Sequence, residues 1–273
     1  MPRLAANLSM LFTEWPLLDR FGAAAQAGFT AVELQFPYEA PAEALARALQ
    51  AHRLSLVLHN LPVDRWAQGE RGLACHPGRE AEFAEGLERA LHYAQALQVP
   101  CLNVLSGLQP QAVSDEQAFC TLVANLAAAV PRARAAGVQL LVEPINALDV
   151  PGFWLNRVER AVAVMDAVDA QCAPGSLKLQ LDLYHQQRSG GELAGTVQAL
   201  LPRIGHLQMA DNPGRHEPGT GEIRYAWLLP QLDAWGYTGW VGCEYHPRAG
   251  TVAGLGWLAA HGVALSAHPP STL

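Results

Sequence analysis

Charge is scarce in this 273-residue chain: Asp, Glu, Lys and Arg together make up 16% of it, against 50% hydrophobic residues. A chain of that balance is not disordered and can bury a large core. Basic runs are absent as well. No five basic residues stand together, and the net charge is −7. Nucleic-acid binding normally needs a basic patch to offset phosphates, so no nucleic-acid partner is expected. The five cysteines, Cys75, Cys101, Cys120, Cys172 and Cys243, are scattered and form no CxxC pair. They read as reduced, mostly buried thiols of a cytoplasmic protein. No apolar stretch approaches the roughly 20 residues that cross a bilayer. The opening MPRLAANLSMLF is broken up by Asn7 and Ser9, with Glu14 close behind, and reads as a strand rather than a signal peptide. The expectation is a soluble chain with no membrane partner. A repeat of solenoid period is also missing, and no Gly-rich phosphate loop follows the first apolar run.

What is present is an alternation of short apolar runs with longer amphipathic ones. Strands are predicted at Leu4–Leu8, Ala31–Gln35, Ser55–His59, Cys101–Leu105, Gln139–Glu143, Lys178–Asp182, Ile204–Gln208 and Trp240–Glu244. Several are continuously apolar, as parallel strands buried on both faces are. Helices are predicted at Trp15–Ala27, Ala42–His52, Arg79–Leu97, Asp115–Ala136, Asn156–Asp169, Glu192–Leu200 and Tyr225–Trp235. Pro41 suits a first turn, Ser114 a cap, and Gly28 and Gly137 the stops. Eight strands, each followed by helical or turn-rich sequence, predict a single-domain α/β fold, a (β/α)8 TIM barrel of the usual size, roughly 250 residues. A doubly wound open sheet is the alternative. The barrel is expected over residues 1–258, and the small-residue, Pro- and His-containing stretch 259–273 as a C-terminal tail.

Four predicted strands end on residues that bind hard metals: Glu143, Asp182, Gln208 and Glu244. In such a barrel, functional residues sit at these C-terminal strand ends and the loops beyond them. Three carboxylates converging at one buried mouth repel one another unless a cation joins them. Three carboxylates and an amide oxygen suit one divalent metal ion, Mg2+ or Mn2+. A lone strand-end Glu or Gln more often bonds a loop, and the argument rests on the four together. His185, three residues past Asp182, is a candidate substrate contact. His206 reads as structural, and His59 is open between the two. Two polar loops stand out, His59–Gly72 with Asn60, Glu70 and Arg71, and Ala210–Ile223 with Asp211, Arg215, His216 and Glu217. Their arginines suit bidentate capture of a substrate carboxylate, or equally a surface ion pair.

The segments ANLSMLF, FPYE, LHNLP, GERGLACHPGRE, VEPIN, DVPGFWL, DLYHQQR, GHLQMADNPGRHEPGTGEI and GWVGCEY resemble the hydroxypyruvate isomerase family, within the xylose-isomerase-like barrels. The resemblance spans about residues 3–257. It implies a (β/α)8 barrel that interconverts hydroxypyruvate and tartronate semialdehyde. It also implies metal binding by Glu143, Asp182, Gln208 and Glu244, with Glu143 and Glu244 as proton donor and acceptor. The related ketose 3-epimerases carry an Asp-x-x-His motif similar to Asp182–His185, whose His contacts substrate. They also carry an Arg soon after the third metal ligand, which points to Arg215. From the loops and the end of the last strand, Asn60, Arg71 and His246 are further candidate substrate contacts. The family usually has Lys where this chain has His246. If that Lys neutralises the substrate acid, His246 does so only when protonated.

The expected chemistry is proton transfer through an enediolate on a small hydroxy-keto acid, helped by the metal. Alternatives are a 2-oxo-tetronate isomerase or ketose epimerase on the same site, a metal-dependent endonuclease, or a non-catalytic binder. Oligomeric state is open, with a homo-oligomer among the options.

Overall fold

The computed structural model describes residues 2–263 and Leu265. Its eight strands are β1 (Arg3–Asn7), β2 (Ala31–Leu34), β3 (Ser55–Asn60), β4 (Cys101–Val104), β5 (Gln139–Val142), β6 (Leu177–Asp182), β7 (Ile204–Met209) and β8 (Trp240–Cys243). All pairings are parallel, each strand beside the next, and β8 closes onto β1. The α/β expectation and the closed barrel are therefore met, and the open sheet is excluded. Strands such as β2 are buried at every residue, which explains why they read as unbroken apolar runs.

The helices are α1 (Leu17–Gln26), α2 (Ala42–His52), α3 (Glu80–Leu97), α4 (Asp115–Ala135), α5 (Val158–Gln171), α6 (Leu183–Ser189), α7 (Leu193–Leu200), α8 (Tyr225–Ala234), α9 (Thr251–Gly254) and α10 (Trp257–Ala260). Seven lie within about two residues of prediction. Ser114 caps α4 through a reciprocal box: its Oγ accepts from the Gln117 amide at 3.1 Å, and the Gln117 side chain accepts from the Ser114 amide at 3.0 Å. That box satisfies two donors that a helix start otherwise leaves open.

One helix near the site was not predicted. α6 begins directly at the end of β6, with no loop between them. Asp182 makes this possible: its Oδ1 accepts from the Tyr184 amide at 2.8 Å and caps the new helix. A helix starting there returns residue i+3, His185, over the strand end.

One apolar cluster joins the outer faces of the strands to the helices. It includes Leu8, Phe21, Leu45, Leu87, Leu122, Val164 and Leu229. A smaller cluster, Ala5, Ala31, Val57, Leu58 and Leu141, fills the barrel interior. Of the stretch expected as a tail, Val263 is buried in the large cluster; residues 264 and 266–273 lie outside the described residues. No described helix is long and apolar enough to cross a membrane.

Candidate active site

The eight strand ends and following loops enclose a cavity of about 580 Å³. Glu143, Gln208, Glu244, His185, Arg215, Asn60, Arg71 and His246 all line it. Asp182 lies beneath the wall, 1% exposed, with Oδ2 3.7 Å from His185 Nε2 and 3.4 Å from an Arg215 amine. The strand-end rule thus brings every candidate residue to one place.

Pairing sets their order. Asp182 faces Gln208 across β6 and β7, and Gln208 faces Gly242 across β7 and β8. The register slips between β2 and β3, where Val57 is the extra residue, and between β6 and β7, where Gly205 is. Such bulges re-aim side chains near active sites. Opposite them, Glu33 and Gln180 both bond the Gln208 side chain.

Glu33 was not anticipated, and it organises the floor. Fully buried, it accepts from Asn7 at 2.9 Å, Gln208 Nε2 at 2.8 Å and His206 Nε2 at 2.7 Å. Gly242 makes room for it: a Cβ there would overlap the Glu33 carboxylate. With Gln208 Nε2 committed to Glu33, its Oε1 faces the other way and accepts from Gln180 at 2.6 Å. The amide is therefore oriented with its oxygen available as a donor atom for a metal. The contact to Glu33 gives His206 the structural role expected of it.

The two candidate proton-transfer acids are held differently. Glu244 Oε1 accepts from Gln35 at 2.8 Å and Asn7 at 3.1 Å, and its Oε2 accepts from Arg215 at 2.7 Å. Glu143 accepts from one described donor, Asn103 Nδ2, at 2.7 Å. Burial pushes Glu143 well above the ordinary carboxylate range, with the charges of Glu244 and Asp182 adding to it. Burial pushes Glu244 up to about 7, against the pull of Arg215. Asp182 is also raised by burial, opposed by Arg215. Three buried acids raised together describe a site short of positive charge.

Glu143, Asp182 and His185 each present a ligand atom within 4.8 Å of the others. The oxygens of Glu143, Asp182, Glu244 and the oriented Gln208 amide form a donor set that fits one metal ion, with His185 beside it. Glu244 lies outside that closest group, its Oε2 turned to Arg215.

The long loop after β7 delivers Arg215. Asp211, fully buried, accepts from the amides of Gly219 at 2.8 Å, Gly221 at 2.9 Å and Ile223 at 3.0 Å, which folds the loop around one carboxylate. Arg215 itself takes a left-handed φ of 56°. Its carbonyl accepts from the His246 amide at 2.8 Å, joining this loop to the end of β8. Burial, then the charges of Arg215 and His216, hold His246 below the ordinary imidazole value, which disfavours a positive ring there. Arg188 on α6 lines the same cavity and was not anticipated. The remaining loop candidates are structural: Glu70 pairs with Arg79, Glu217 accepts from the Arg248 amide at 3.1 Å, and His216 Nδ1 lies 2.7 Å from the His246 carbonyl. His59 is buried and bonds the Asn60 carbonyl at 3.0 Å.

The family model for xylose isomerase-like TIM barrels matches residues 21–261. The chain belongs to that family. Among its relatives, a hydroxypyruvate isomerase of Escherichia coli is 48% identical over 94% of this chain and 98% of its own length. A 2-oxo-tetronate isomerase of Cupriavidus necator is 47% identical over the same shares of the two chains. A crystal structure described as an AP endonuclease, family 2, from Brucella melitensis superposes with a TM-score of 0.91 at 42% identity, covering 95% of this chain and 99% of that one. Membership in this family agrees with the resemblance carried by VEPIN, DLYHQQR and GWVGCEY.

Proposed function

We propose that the chain is an isomerase of small hydroxy-keto acids, interconverting hydroxypyruvate and tartronate semialdehyde. The observation that carries this reading is the pair Glu143 and Glu244. Both are buried at the mouth of one cavity and approach it from strands three apart on the barrel. The full-length similarity to relatives named for such isomerases supports the substrate class.

Glu143 and Glu244, with Asp182 and the Gln208 oxygen, would hold one Mg2+ or Mn2+ ion, which when bound neutralises the acids and polarises the substrate carbonyl. Arg215, Arg71 and Arg188 line the same cavity and offer forked donors to the substrate carboxylate. Glu143, held by one amide, is the freer of the two acids and takes the α-proton. Glu244, fixed by three donors, starts protonated and gives that proton to the neighbouring carbon, while the substrate hydroxyl proton passes to the former carbonyl oxygen; exchange with solvent then clears Glu143 and reprotonates Glu244. Arg215 spans Glu244 and Asp182 and so holds the second acid in place while the first acts. Positioned acid–base groups contribute about 10²–10⁴ in rate.

The test is an NMR assay with hydroxypyruvate in D2O, with Mg2+ or Mn2+ added. The expected result is exchange of the α-protons together with appearance of the aldehyde. No exchange with either metal would reject the reading.

A second reading has specific support. The 2-oxo-tetronate isomerase is as similar as the hydroxypyruvate enzyme, and a cavity of about 580 Å³ exceeds what a three-carbon acid fills. Comparing kcat/KM for the three- and four-carbon acids decides between them. The endonuclease reading, raised by the name of the Brucella structure, has less to stand on. Among the described residues one group of three His or carboxylate side chains could hold a metal, and it contains a single His. One metal per chain by elemental analysis is expected; two or three would favour the nuclease.

A further inference from the structure

Asn146, in the turn after β5, is fully buried and touches His185. We propose that Asn146 is a positioning residue that fixes His185 as an Nε2–H hydrogen-bond donor toward the substrate and keeps it out of the metal's ligand set.

The inference comes from which end of the Asn146 amide is which. Its Oδ1 accepts from three N–H groups: the Leu148 amide at 3.1 Å, the Asp149 amide at 2.9 Å and Arg188 Nε at 3.3 Å. A backbone N–H and a guanidinium N–H can only donate, so the atom facing them must be the oxygen. The other end is then the NH2 group. It donates to Asp149 Oδ2 at 3.1 Å and meets His185 Nδ1 at 2.6 Å. An amide NH2 has no lone pair to offer, so Nδ1 must be the acceptor of that bond. A neutral imidazole with Nδ1 as acceptor carries its proton on Nε2.

His185 lines the cavity, and its Nε2 is the nitrogen beside Asp182 Oδ2, 3.7 Å away. A protonated nitrogen cannot ligate a metal. Although His185 lies within reach of Glu143 and Asp182, its tautomer leaves metal binding to the oxygens and makes the ring a donor. On the isomerase reading above, the atom it meets is the substrate oxygen on which charge develops, where one fixed donor is worth about 10²–10³ in kcat. Second-sphere partners set a histidine's tautomer in this way at many sites.

The test exchanges one atom. Asn146→Asp keeps an Oδ1 for the Leu148 and Asp149 amides and for Arg188, but presents an acceptor to Nδ1. Asn146→Asp/Asp149→Asn does the same without adding charge, and serves if the single variant folds poorly. Long-range 1H–15N spectra of the metal-free, 15N-labelled protein report the His185 tautomer, with His185→Gln identifying its signals. The expected result is an Nε2–H ring in the unmodified chain and an Nδ1–H ring in the variants. Assayed with hydroxypyruvate and Mn2+, the double variant should lose about 10²–10³ in kcat with little change in KM. An Nδ1–H ring in the unmodified chain, or a tautomer that does not respond to the exchange, overturns the proposal even if activity falls. If the tautomer switches but the unmodified chain isomerises nothing, the isomerase reading fails and the positioning role stands.

Discussion

Glu143 and Glu244 are the same residue type at equivalent positions, the first residue past β5 and the first past β8, yet their surroundings are opposite. Glu244 is gripped by Gln35, Asn7 and Arg215; among the described residues, Glu143 rests on Asn103 alone. Both are buried, so both are pushed above the ordinary carboxylate range, and Arg215 opposes the shift at each. Burial alone thus does not assign roles. The count of donors does, because each bond to a carboxylate lowers its basicity and its freedom to move. The lightly held acid is the one suited to taking a proton, and the heavily held acid to giving one back from a fixed position.

The largest expected effect breaks the pair outright. Glu143→Gln and Glu244→Gln should each lower kcat by about 10²–10⁴, measured beside metal content. Retained metal with lost turnover supports proton transfer by that residue. Full isomerase activity in Glu244→Gln would sink its role, and equal activity of both variants with the parent would remove the comparison altogether.

Next in size is the loss of the cation that one acid has and the other lacks. Arg215 bridges Glu244 and Asp182, and removing one member of a buried ion pair costs roughly 3–5 kcal/mol. Proton uptake by the freed acids moves the expectation for Arg215→Met to the low end of that range, read by chemical denaturation in EDTA. Added Mn2+ should restore more stability to the variant than to the parent. A metal-free variant as stable as the parent would show that the bridge is not formed in solution.

A smaller effect concerns pH. With Glu244 at about 7 in the folded chain and near 4.5 in the unfolded one, the metal-free fold holds a proton that the unfolded chain releases. Stability therefore falls as pH rises from about 4.5 through 7, by on the order of 3 kcal/mol for this group. Glu143 is shifted in the same direction and adds to the fall. Glu244→Gln should flatten the profile over that window in EDTA. An unchanged slope would mean that Glu244 keeps its charge throughout.

The sequence displayed one side of this comparison better than the other. Glu143, Asp182, Gln208 and Glu244 are legible because each terminates an apolar run, and a parallel barrel sends those termini to one mouth. The residues that distinguish the two acids are not legible that way. Asn7, Glu33, Gln35 and Asn103 sit in or beside β1, β2 and β4, where a single polar residue within apolar sequence reads as an exposed position or an interruption. The available signal was register: Asn7 pairs with Glu33, and Asn60 with Asn103, so inward-facing polar positions recur on neighbouring strands. The register slips opposite Glu33 and Gln180, at Val57 on β3 and Gly205 on β7, are not readable from strand patterning. α6 was missed for a related reason. Asp182 is a strand end, a metal-type residue and a helix cap at once, and the strand signal in LKLQLDLYH masks the cap.

The smallest effects give the finest measure of the asymmetry, because they change the support without touching the acids. Gln35→Ala removes one of three donors to Glu244, and the two that remain still hold the carboxylate, so kcat/KM should fall only a few-fold, for about 0.5–1.5 kcal/mol. Asn103→Ala removes the single described donor to Glu143. It also withdraws the bond that ties Asn103 to Asn60 Oδ1 at 3.1 Å, so a second cavity residue loses its anchor. A buried group left without its partner costs about 1–3 kcal/mol, and the loss falls on the acid proposed to start the reaction. The expected order is therefore Asn103→Ala well below Gln35→Ala in kcat, with KM moving less than kcat in both. The reverse order would exchange the roles, making the heavily held Glu244 the group whose basicity limits turnover.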